Sequence, residues 1–378
     1  MENLDLEKMN KDLKQPFIAD KDVNHTKKVT VETVQETKTF DIEVPAKPTE
    51  EYQKAWWNTI NKFETKSWEP KRKGLDCGFK SINNAFDGGI KTGFIVIAAE
   101  SNTGKSAMIA QIATNIATLN SNVYVMDFSL DDPIDDKIPR IVACKQKIPI
   151  NAVKSPENYT MYPYMLLKRI QGLNDLRWLT DSYRAYDATT LAEERKEVSK
   201  GSDIESILEE VARQKKYFTD NNIDKQIVLL IDNFHDLTSR DHPNYQDKQK
   251  YDYLAQTVSD AATSFDIPII CTAEFRKLNR NGRPTLDDIR EANKIVYEAK
   301  AIILGHNDVH SKGEGAQVFF NRKEKGQEKC PIFEAHFAKN KMGSFKGRVY
   351  FQSFPELAYM AECDEQTSKY YSSTIMGS

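Results

Sequence analysis

The chain has 378 residues, of which 39% are hydrophobic and 29% charged, and its formal net charge is −3. This composition is typical of a soluble globular protein with one large α/β domain and extensions, or with two modest domains. It excludes a membrane-spanning protein, because no apolar run approaches the roughly 20 residues that a span needs. It also means that a nucleic-acid partner would have to meet a local basic surface rather than an overall positive charge.

The five cysteines are far apart and form no C-x-x-C pair. This spacing favours reduced thiols in a cytoplasm over a zinc site or a disulfide framework. The N-terminus alternates in charge and has no apolar core, so we expect no signal peptide. We therefore predict a cytoplasmic protein with no membrane partner.

Residues 1–48 have mixed charges and few apolar side chains, which predicts a flexible arm. Alternation between Val29 and Val44 also suits a short strand or a docking segment within it. A linker or docking helix is predicted over residues 49–68, with an apolar stripe at helical spacing. The stripe suits packing on its own domain and docking on a neighbouring subunit equally well. It comprises Tyr52, Trp56, Ile60 and Phe63.

Continuous apolar strands alternate with helices through residues 69–364, and this predicts a single α/β domain. We expect a mainly parallel central sheet flanked by helices, with a C-terminal antiparallel extension. The predicted parallel strands lie at residues 94–98, 123–126, 227–231, 267–271 and 301–304, and the antiparallel ones at 332–338 and 348–352. Residues 191–220 predict a charged outer helix, and residues 365–378 a flexible tail.

The strand at residues 94–98 runs into the segment AESNTGKS at residues 99–106, and an amphipathic helix follows. This is the pattern of a phosphate-binding loop with alanine in place of the usual first glycine. In such a loop the backbone N–H groups cradle a pyrophosphate, the lysine meets the β- and γ-phosphates, and the hydroxyl holds Mg²⁺. The alternative is a surface turn, but the flanking strand and helix favour binding of ATP and Mg²⁺. The predicted nucleotide-binding residues are Ala99, Ser101, Asn102, Thr103, Gly104, Lys105, Ser106 and Ala107.

Two further strands end in carboxylates. Asp232 follows the strand at 227–231 and is predicted to hold Mg²⁺ together with Ser106. We expect this strand to lie next to the strand at 94–98 that leads to Lys105. Asp131 follows the strand at 123–126, which we also expect beside the P-loop strand. We predict Asp131 as the group that activates water, with Asp132 as the second candidate. Alternatively, these acids only cap the helix that follows.

The order and spacing of these motifs resemble the C-terminal motor domain of DnaB-type replicative helicases, over about residues 49–362. The resemblance rests on GLDCGF at 74–79, GGIKTG at 88–93, the loop at 99–106, FSLDDP at 128–133, Ile231-Asp232, RPTLDDIRE at 283–291 and AKNKMG at 338–343. It implies a RecA-like P-loop NTPase fold. It also implies a homohexameric ring that hydrolyses ATP between subunits, translocates on single-stranded DNA and unwinds duplex DNA.

The resemblance also implies roles for residues far from the P-loop. Lys339 and Lys341 would be catalytic residues that reach the ATP of the adjacent subunit. Arg290, with Glu291 and Lys294, would bind nucleic acid in the central channel. A primase or a helicase loader is the expected further partner. The short arm before the motor resembles a phage- or plasmid-type member without the family's N-terminal helical domain.

The sequence departs from the family at two positions. Glu274 stands where the family usually has a glutamine that senses the γ-phosphate, and Lys341 stands where it usually has an arginine. Lysine keeps the charge but loses the planar fork of two donors. The family also usually has glutamate where Asp131 stands, and aspartate is one methylene shorter. Together these departures favour an alternative function, a regulatory nucleic-acid-associated protein with weak ATP turnover. A RecA-like recombinase or repair ATPase is the other alternative.

Overall fold

The computed structural model describes residues 25–32, 37–44, 50–67, 74–187, 189, 203–276, 282–321 and 329–376. The chain divides into two compact units, Met1–Glu69 and Pro70–Ser378. In the smaller unit, strands β1 (His25–Glu32) and β2 (Thr37–Val44) pair as an antiparallel hairpin. The predicted flexible arm therefore contains a hairpin where the alternation allowed a strand, and the rest of the arm lies outside the described residues.

Helix α1 (Glu50–Ser67) follows the hairpin and occupies the predicted linker segment. Its apolar side chains face solvent, since Trp56, Ile60 and Phe63 are 61, 41 and 66% exposed. The side chain of Tyr52, the remaining member of the predicted stripe, lies outside the described residues. Three of the four stripe positions are thus accessible on the surface of the helix.

The larger unit is built on one ten-stranded sheet. Its strands in chain order are β3 (Gly93–Ala99), β4 (Val123–Ser129), β5 (Tyr183–Asp187), β6 (Gln226–Asp232), β7 (Pro268–Glu274), β8 (Ala301–Asn307), β9 (Phe319–Asn321), β10 (Lys329–Asn340), β11 (Arg348–Phe354) and β12 (Tyr359–Glu362). The short strands β5, β9 and β12 were not predicted, because each is brief and lacks a continuous apolar run.

The strands lie in the order β12-β11-β10-β8-β3-β7-β6-β4-β5, and β9 pairs with β10. Strands β8, β3, β7, β6, β4 and β5 run parallel, whereas β10 is antiparallel to β8, as β11 is to β10 and β12 to β11. The predicted fold class, a mainly parallel sheet with a C-terminal antiparallel extension, is confirmed. The neighbours of β3 are β7 and β8, so the prediction that β4 and β6 lie beside the P-loop strand is wrong.

Helices cover both faces of the sheet, and alternate residues of β3 reach two separate cores. Phe94 and Val96 belong to the core on one face, and Ile95 and Ile97 to the core on the other. This is why β3 reads as an unbroken apolar run. The helices are α2 (Lys80–Ala85), α3 (Lys105–Leu119), α4 (Ile134–Gln146), α5 (Ile150–Lys154), α6 (Pro163–Trp178), α7 (Ile204–Asp220), α8 (Asp247–Ser264), α9 (Ala292–Glu298), α10 (Asp308–Lys312) and α11 (Glu365–Met376).

Two helices differ from the sequence-based expectation. The predicted outer helix begins at Ile204 in the structure, and its predicted first part, residues 191–202, lies outside the described residues. Instead of a loose tail, residues 365–376 form α11, whose Tyr371 is buried against Tyr350. One aromatic anchor in a polar segment gives too weak a pattern to predict a packed helix. Within the described ranges, no helix has the length and apolar character needed to cross a bilayer.

Candidate nucleotide and nucleic-acid sites

The P-loop connects the end of β3 at Ala99 to the start of α3 at Lys105. Gly104 caps the helix with φ of 109°, a backbone conformation that glycine adopts without strain. A Cβ at this position would lie 2.8 Å from the flexible end of Met360, so the backbone conformation is the main reason for glycine here. The first N–H groups of α3 have no partner within the helix and form an end that attracts anions.

Lys105 is buried at the base of this loop. Its Nζ donates to the carbonyl oxygen of Ala99 at 2.9 Å and lies 3.9 Å from Oε1 of Glu274. Burial lowers the pKa of Lys105, while the negative charges of Glu274 and Asp232 act in the opposite direction. The ammonium group thus lies among carbonyl and carboxylate oxygens.

A cleft of about 330 Å³ opens over the P-loop. That volume falls within the usual range for small-molecule sites. The predicted residues from 101 to 107 line it, together with Asp131, Asp132 and Glu274, whereas Ala99 contributes only its carbonyl oxygen to Lys105. Residues not singled out from the sequence complete the lining: Arg140, Ile150, Asn307, Ser353, Phe354, Pro355, Ala358 and Tyr359.

Two adjacent aspartates in this cleft have different surroundings. The Asp132 carboxylate is paired with the guanidinium of Arg140. The carboxylate of Asp131 has no hydrogen-bond donor among the described residues, and burial and the nearby Asp132 and Asp232 raise its pKa. A raised pKa makes a carboxylate a better proton acceptor. The structure therefore favours Asp131 over Asp132 as the candidate base.

Asp232 does not line the cleft and is only 3% exposed. The hydroxyl of Thr272 donates to its Oδ1, and its backbone oxygen accepts the N–H of Asp131 at 3.3 Å. Because β7 lies between β3 and β6, the residue beside the P-loop strand is Glu274, which is in register with Ala99. The carboxylate next to the loop in the sheet is therefore one that the sequence marked only as a departure from the family.

Lys339 and Lys341 lie at the opposite edge of the sheet. Asn340 at the end of β10 pairs with Ala301 at the start of β8, since the two strands are antiparallel. The Lys339 Nζ donates to the carbonyl of Tyr297 at 2.9 Å, near the C-terminal end of α9, and Lys341 is exposed. Neither lysine lines the cleft above Lys105. Their position keeps them away from the P-loop of their own chain.

Of the predicted nucleic-acid residues, Arg290 lies at the edge that carries the P-loop, where its backbone N–H donates to the carbonyl of Glu274. Arg290 is exposed, with its guanidinium 6.0 Å from the ring centre of Tyr251. Glu291 caps α9, and the Lys294 Nζ is paired with Glu298 at 2.7 Å. Arg290 is thus more accessible to a ligand than Lys294. It lines a cleft of about 190 Å³ with Lys248, Asp252, Arg276, Glu291 and Asn293.

One residue that the sequence did not point to is His235, which follows Asp232 in a 3₁₀ turn, Phe234–Asp236. It is 5% exposed, and its ring nitrogens bond to the backbone of Glu274 and Arg290. These partners lie 39 and 55 positions further along the chain. The one signal available was a histidine three positions after Asp232, the predicted Mg²⁺ ligand.

Comparisons with known proteins agree with this geometry. Residues 74–354 match the model of the DnaB-like helicase C terminal domain. A probable replicative DNA helicase of Trieres chinensis is 23% identical over 74% of this chain and 55% of its own length. The replicative DNA helicase DnaB of Treponema pallidum (strain Nichols) is 22% identical over 62% of this chain and 48% of its own length. The DNA repair protein RadA of Aquifex aeolicus (strain VF5) is 28% identical over 46% of this chain and 40% of its own length. The chain therefore spans about half the length of the curated relatives it matches.

Two solved structures have the same fold. One is an ATPase domain that superposes with a TM-score of 0.66 and 17% identity, covering 84% of this chain and 100% of that one. A DnaB-like replicative helicase, described with its interactions with primase, gives 0.64 and 18%, covering 81% of this chain and 67% of that one. The chain has a P-loop and carboxylates at the ends of the following strands, and the family model matches most of its length. This chain therefore belongs to the DnaB-like helicase C-terminal domain family.

Proposed function

We propose that this chain is a subunit of an ATP-dependent replicative DNA helicase, a hexameric ring that translocates on single-stranded DNA and unwinds duplex DNA. The observation that carries the proposal is the convergence of Lys105, Asp131 and Glu274 on one cleft, where the negative charge of Asp232 also acts on Lys105. These groups come from separate strands, and all lie at the carboxyl edge of the parallel sheet. Ligands of open α/β sheets bind at this edge.

The residues at the cleft fit a magnesium-bound ATP. The free N–H groups of α3 and the left-handed Gly104 suit a polyphosphate, and Lys105 adds a positive charge beside it. Ser106 and Asp232 would hold Mg²⁺, which when bound neutralises phosphate charge. Thr272 orients the Asp232 carboxylate by donating to Oδ1. Asp131 would accept a proton from the attacking water, as its raised pKa allows.

The second half of the catalytic machinery would come from a neighbouring copy. Lys339 and Lys341 lie at the amino edge of the sheet, the edge where the parallel strands begin. The P-loop lies at the other end of β3, and the seven residues of this strand span roughly 20 Å. These lysines would therefore meet the ATP held by another subunit and stabilise charge that develops on its γ-phosphoryl group. This arrangement makes assembly a condition of fast hydrolysis.

The apolar surfaces of the chain support such an assembly. In α1, Trp56, Ile60 and Phe63 are exposed and would dock on the neighbouring subunit. Separately, α6 exposes an apolar face in which Tyr164, Leu167 and Trp178 are 66, 64 and 86% exposed. Exposed apolar patches of this kind mark sites of protein contact.

Nucleic acid would meet the edge that carries Arg290. Its exposed guanidinium, with Glu291 and Lys294 beside it, would contact the phosphates of the single strand. Such contacts carry no base information, so binding would be independent of sequence and sensitive to salt. A primase or a helicase loader is the further partner that we expect, and the work would take place in the cytoplasm.

The test is unwinding of a forked DNA duplex by the purified protein with ATP and Mg²⁺. We expect ATP turnover that single-stranded DNA stimulates, and rings in electron micrographs. Lys105→Ala should reduce turnover at least about a hundredfold, because one positioned charge at the phosphates is lost. Lys80→Ala, which changes an exposed lysine, is the matched control. Filaments with strand pairing would instead support a recombinase, and the absence of Mg-nucleotide binding would overturn the proposal.

A regulatory protein with weak turnover is the second candidate, and the Glu274 carboxylate favours it. Glu274 lies 3.9 Å from the Lys105 Nζ, where its negative charge would compete with a γ-phosphate for the ammonium group. If this competition limits the wild type, Glu274→Gln should raise ATP turnover severalfold, because the amide removes the charge and keeps the shape. Equal turnover of both proteins, stimulated by single-stranded DNA, would exclude this candidate.

A further inference from the structure

His235 is held firmly between the nucleotide cleft and the segment that carries Arg290. It lies in the turn after Asp232, where the side chain of Asn233 accepts the His235 N–H at 3.0 Å. Its ring packs against Tyr251 with 5.1 Å between ring centres. The position of the ring is therefore fixed by the strand that presents the proposed magnesium ligand.

The two ring nitrogens of His235 have opposite roles. Nδ1 accepts the backbone N–H of Glu274 at 3.1 Å, so it carries no proton. Nε2 lies 3.0 Å from the carbonyl oxygen of Arg290 and must donate, because a carbonyl can only accept. Burial lowers the pKa of His235 to about 4, so the neutral ring keeps both hydrogen bonds at neutral pH.

The two backbone groups that the ring joins belong to the two ends of one loop. Glu274 ends β7 beside the P-loop strand, and Arg290 is where the chain returns after residues 276–289. The Arg290 N–H donates to the Glu274 carbonyl at 3.0 Å, and the Arg276 N–H donates to that of Asp288 at 2.8 Å. The ends of the loop are thus paired with each other, and His235 ties that pair to the strand of Asp232.

We propose that His235 is a positioning residue that couples the nucleotide cleft to the loop between Glu274 and Arg290, called the nucleic-acid loop below. This inference rests on the function proposed above. A shift of Glu274 or of the Asp232 strand moves the ring, and the ring moves the backbone of Arg290. Without the ring, the partly buried Glu274 N–H and Arg290 carbonyl oxygen lose a hydrogen-bond partner, and an unpaired polar group destabilises the arrangement that the ring held. The paired ends of the loop then no longer change position when the nucleotide cleft changes.

A purely structural histidine would make a different prediction. Its loss would lower the melting temperature but leave the two sites communicating as before. Coupling between two sites is measured as the factor by which one ligand changes the affinity of the other, commonly about 5- to 150-fold. The informative quantity here is the affinity for labelled oligo-dT with and without a non-hydrolysable ATP analogue and Mg²⁺.

Three substitutions separate the two hydrogen bonds. His235→Phe keeps a ring but removes both bonds, and His235→Asn keeps only an acceptor at the Nδ1 position. His235→Gln supplies one acceptor and one donor, and should restore most of the coupling. His242→Phe is the matched control, because the His242 ring stacks on Tyr245 at 4.4 Å and bonds to neither Glu274 nor Arg290.

The wild type should bind oligo-dT about tenfold more tightly with the analogue, and His235→Phe less than about twofold more tightly. In that variant, stimulation of ATP turnover by DNA should be lost. If His235→Phe does not fold, His235→Asn provides the same test through the lost Arg290 bond. A folded variant with the wild-type ratio overturns the inference alone, whereas a wild type without nucleotide-dependent DNA binding overturns the proposed function as well.

Discussion

The two edges of the central sheet carry opposite chemistry. At the carboxyl edge of the parallel strands lie the P-loop and the carboxylates of Asp131, Asp232 and Glu274, with Lys105 as the cation among them. At the amino edge lie Lys339 and Lys341, which arrive there because β10 runs against β8. The acids and the additional cations are thus separated by the length of a strand within one chain.

Under the proposed function, this separation means that one chain holds complementary halves of a site without combining them. The cleft at the carboxyl edge suits phosphate, but of its two cations, Lys105 and Arg140, the second is paired with Asp132. The amino edge has positive charges and no phosphate-binding loop in the described residues. Variants at each edge can establish whether these halves cooperate across copies.

The largest effect is expected at the carboxyl edge. Asp131→Asn should lower ATP turnover about a hundredfold or more, because a general base contributes on that scale, while ATP binding persists. Asp132→Asn should change turnover only a few-fold, since that carboxylate is paired with Arg140 near the surface. Steady-state turnover and binding of a fluorescent nucleotide measure the two. Equal losses in both variants would contradict the assignment of the base.

A smaller effect is expected at the amino edge. Lys341→Ala should reduce turnover about tenfold or more in the assembled protein, because a charge at the γ-phosphoryl group is lost. Mixing Lys341→Ala with Lys105→Ala subunits should recover part of the activity, since some interfaces then contain both wild-type lysines. Lys346→Ala, at an exposed lysine close by, is the control. Failure of any mixture to recover would contradict a contribution in trans.

The nucleic-acid loop offers a third comparison, again at the carboxyl edge. Arg290→Ala should weaken binding of single-stranded DNA severalfold for every sequence and reduce the salt slope by about one. The paired Arg240, which contacts Glu209, provides the control variant Arg240→Ala. Titrations of labelled oligonucleotides at several salt concentrations measure both quantities. A loss confined to particular sequences would show that Arg290 reads bases.

The smallest effect is expected from pH. The pKa of His235 is about 4 in the folded chain, below the usual 6.5 that it regains on unfolding, so the unfolded chain binds the proton more readily. Stability is therefore lost as pH falls from 6.5 towards 4, by about 1 kcal/mol at pH 5.5. Asp131 and Asp236, whose pKa values are raised, oppose this trend. Urea unfolding of wild type and His235→Phe at neutral pH and at about pH 5.5 isolates the histidine, and parallel curves would contradict its role.

Much of the fold could be predicted because its signals are local. The apolar runs of β3 and β6 are continuous since both faces are covered, and the P-loop is a short contiguous motif. The strand order could not be predicted from those runs, because neighbours in the sheet are distant in the chain. That is why Asp131 and Asp232 were expected beside the P-loop strand, whereas Glu274 occupies that place.

The site shows the same limit. Lys105 could be identified from its own sequence context, but the difference between Asp131 and Asp132 depends on where Arg140 lies. The role of His235 depends on backbone groups of two other segments, which leave no trace in its neighbouring residues. Residues recognised by a motif were thus within reach, and residues defined by their contacts were not.

The reversal of a single strand, β10, has a consequence for how the protein would behave in a cell. Under the proposed function, a single subunit would hydrolyse ATP slowly, because Lys339 and Lys341 lie away from the P-loop of their own chain. The rate of ATP hydrolysis per subunit would rise steeply once enough copies are present to form a ring. We therefore expect the concentration of the protein to control its ATPase activity without any inhibitor.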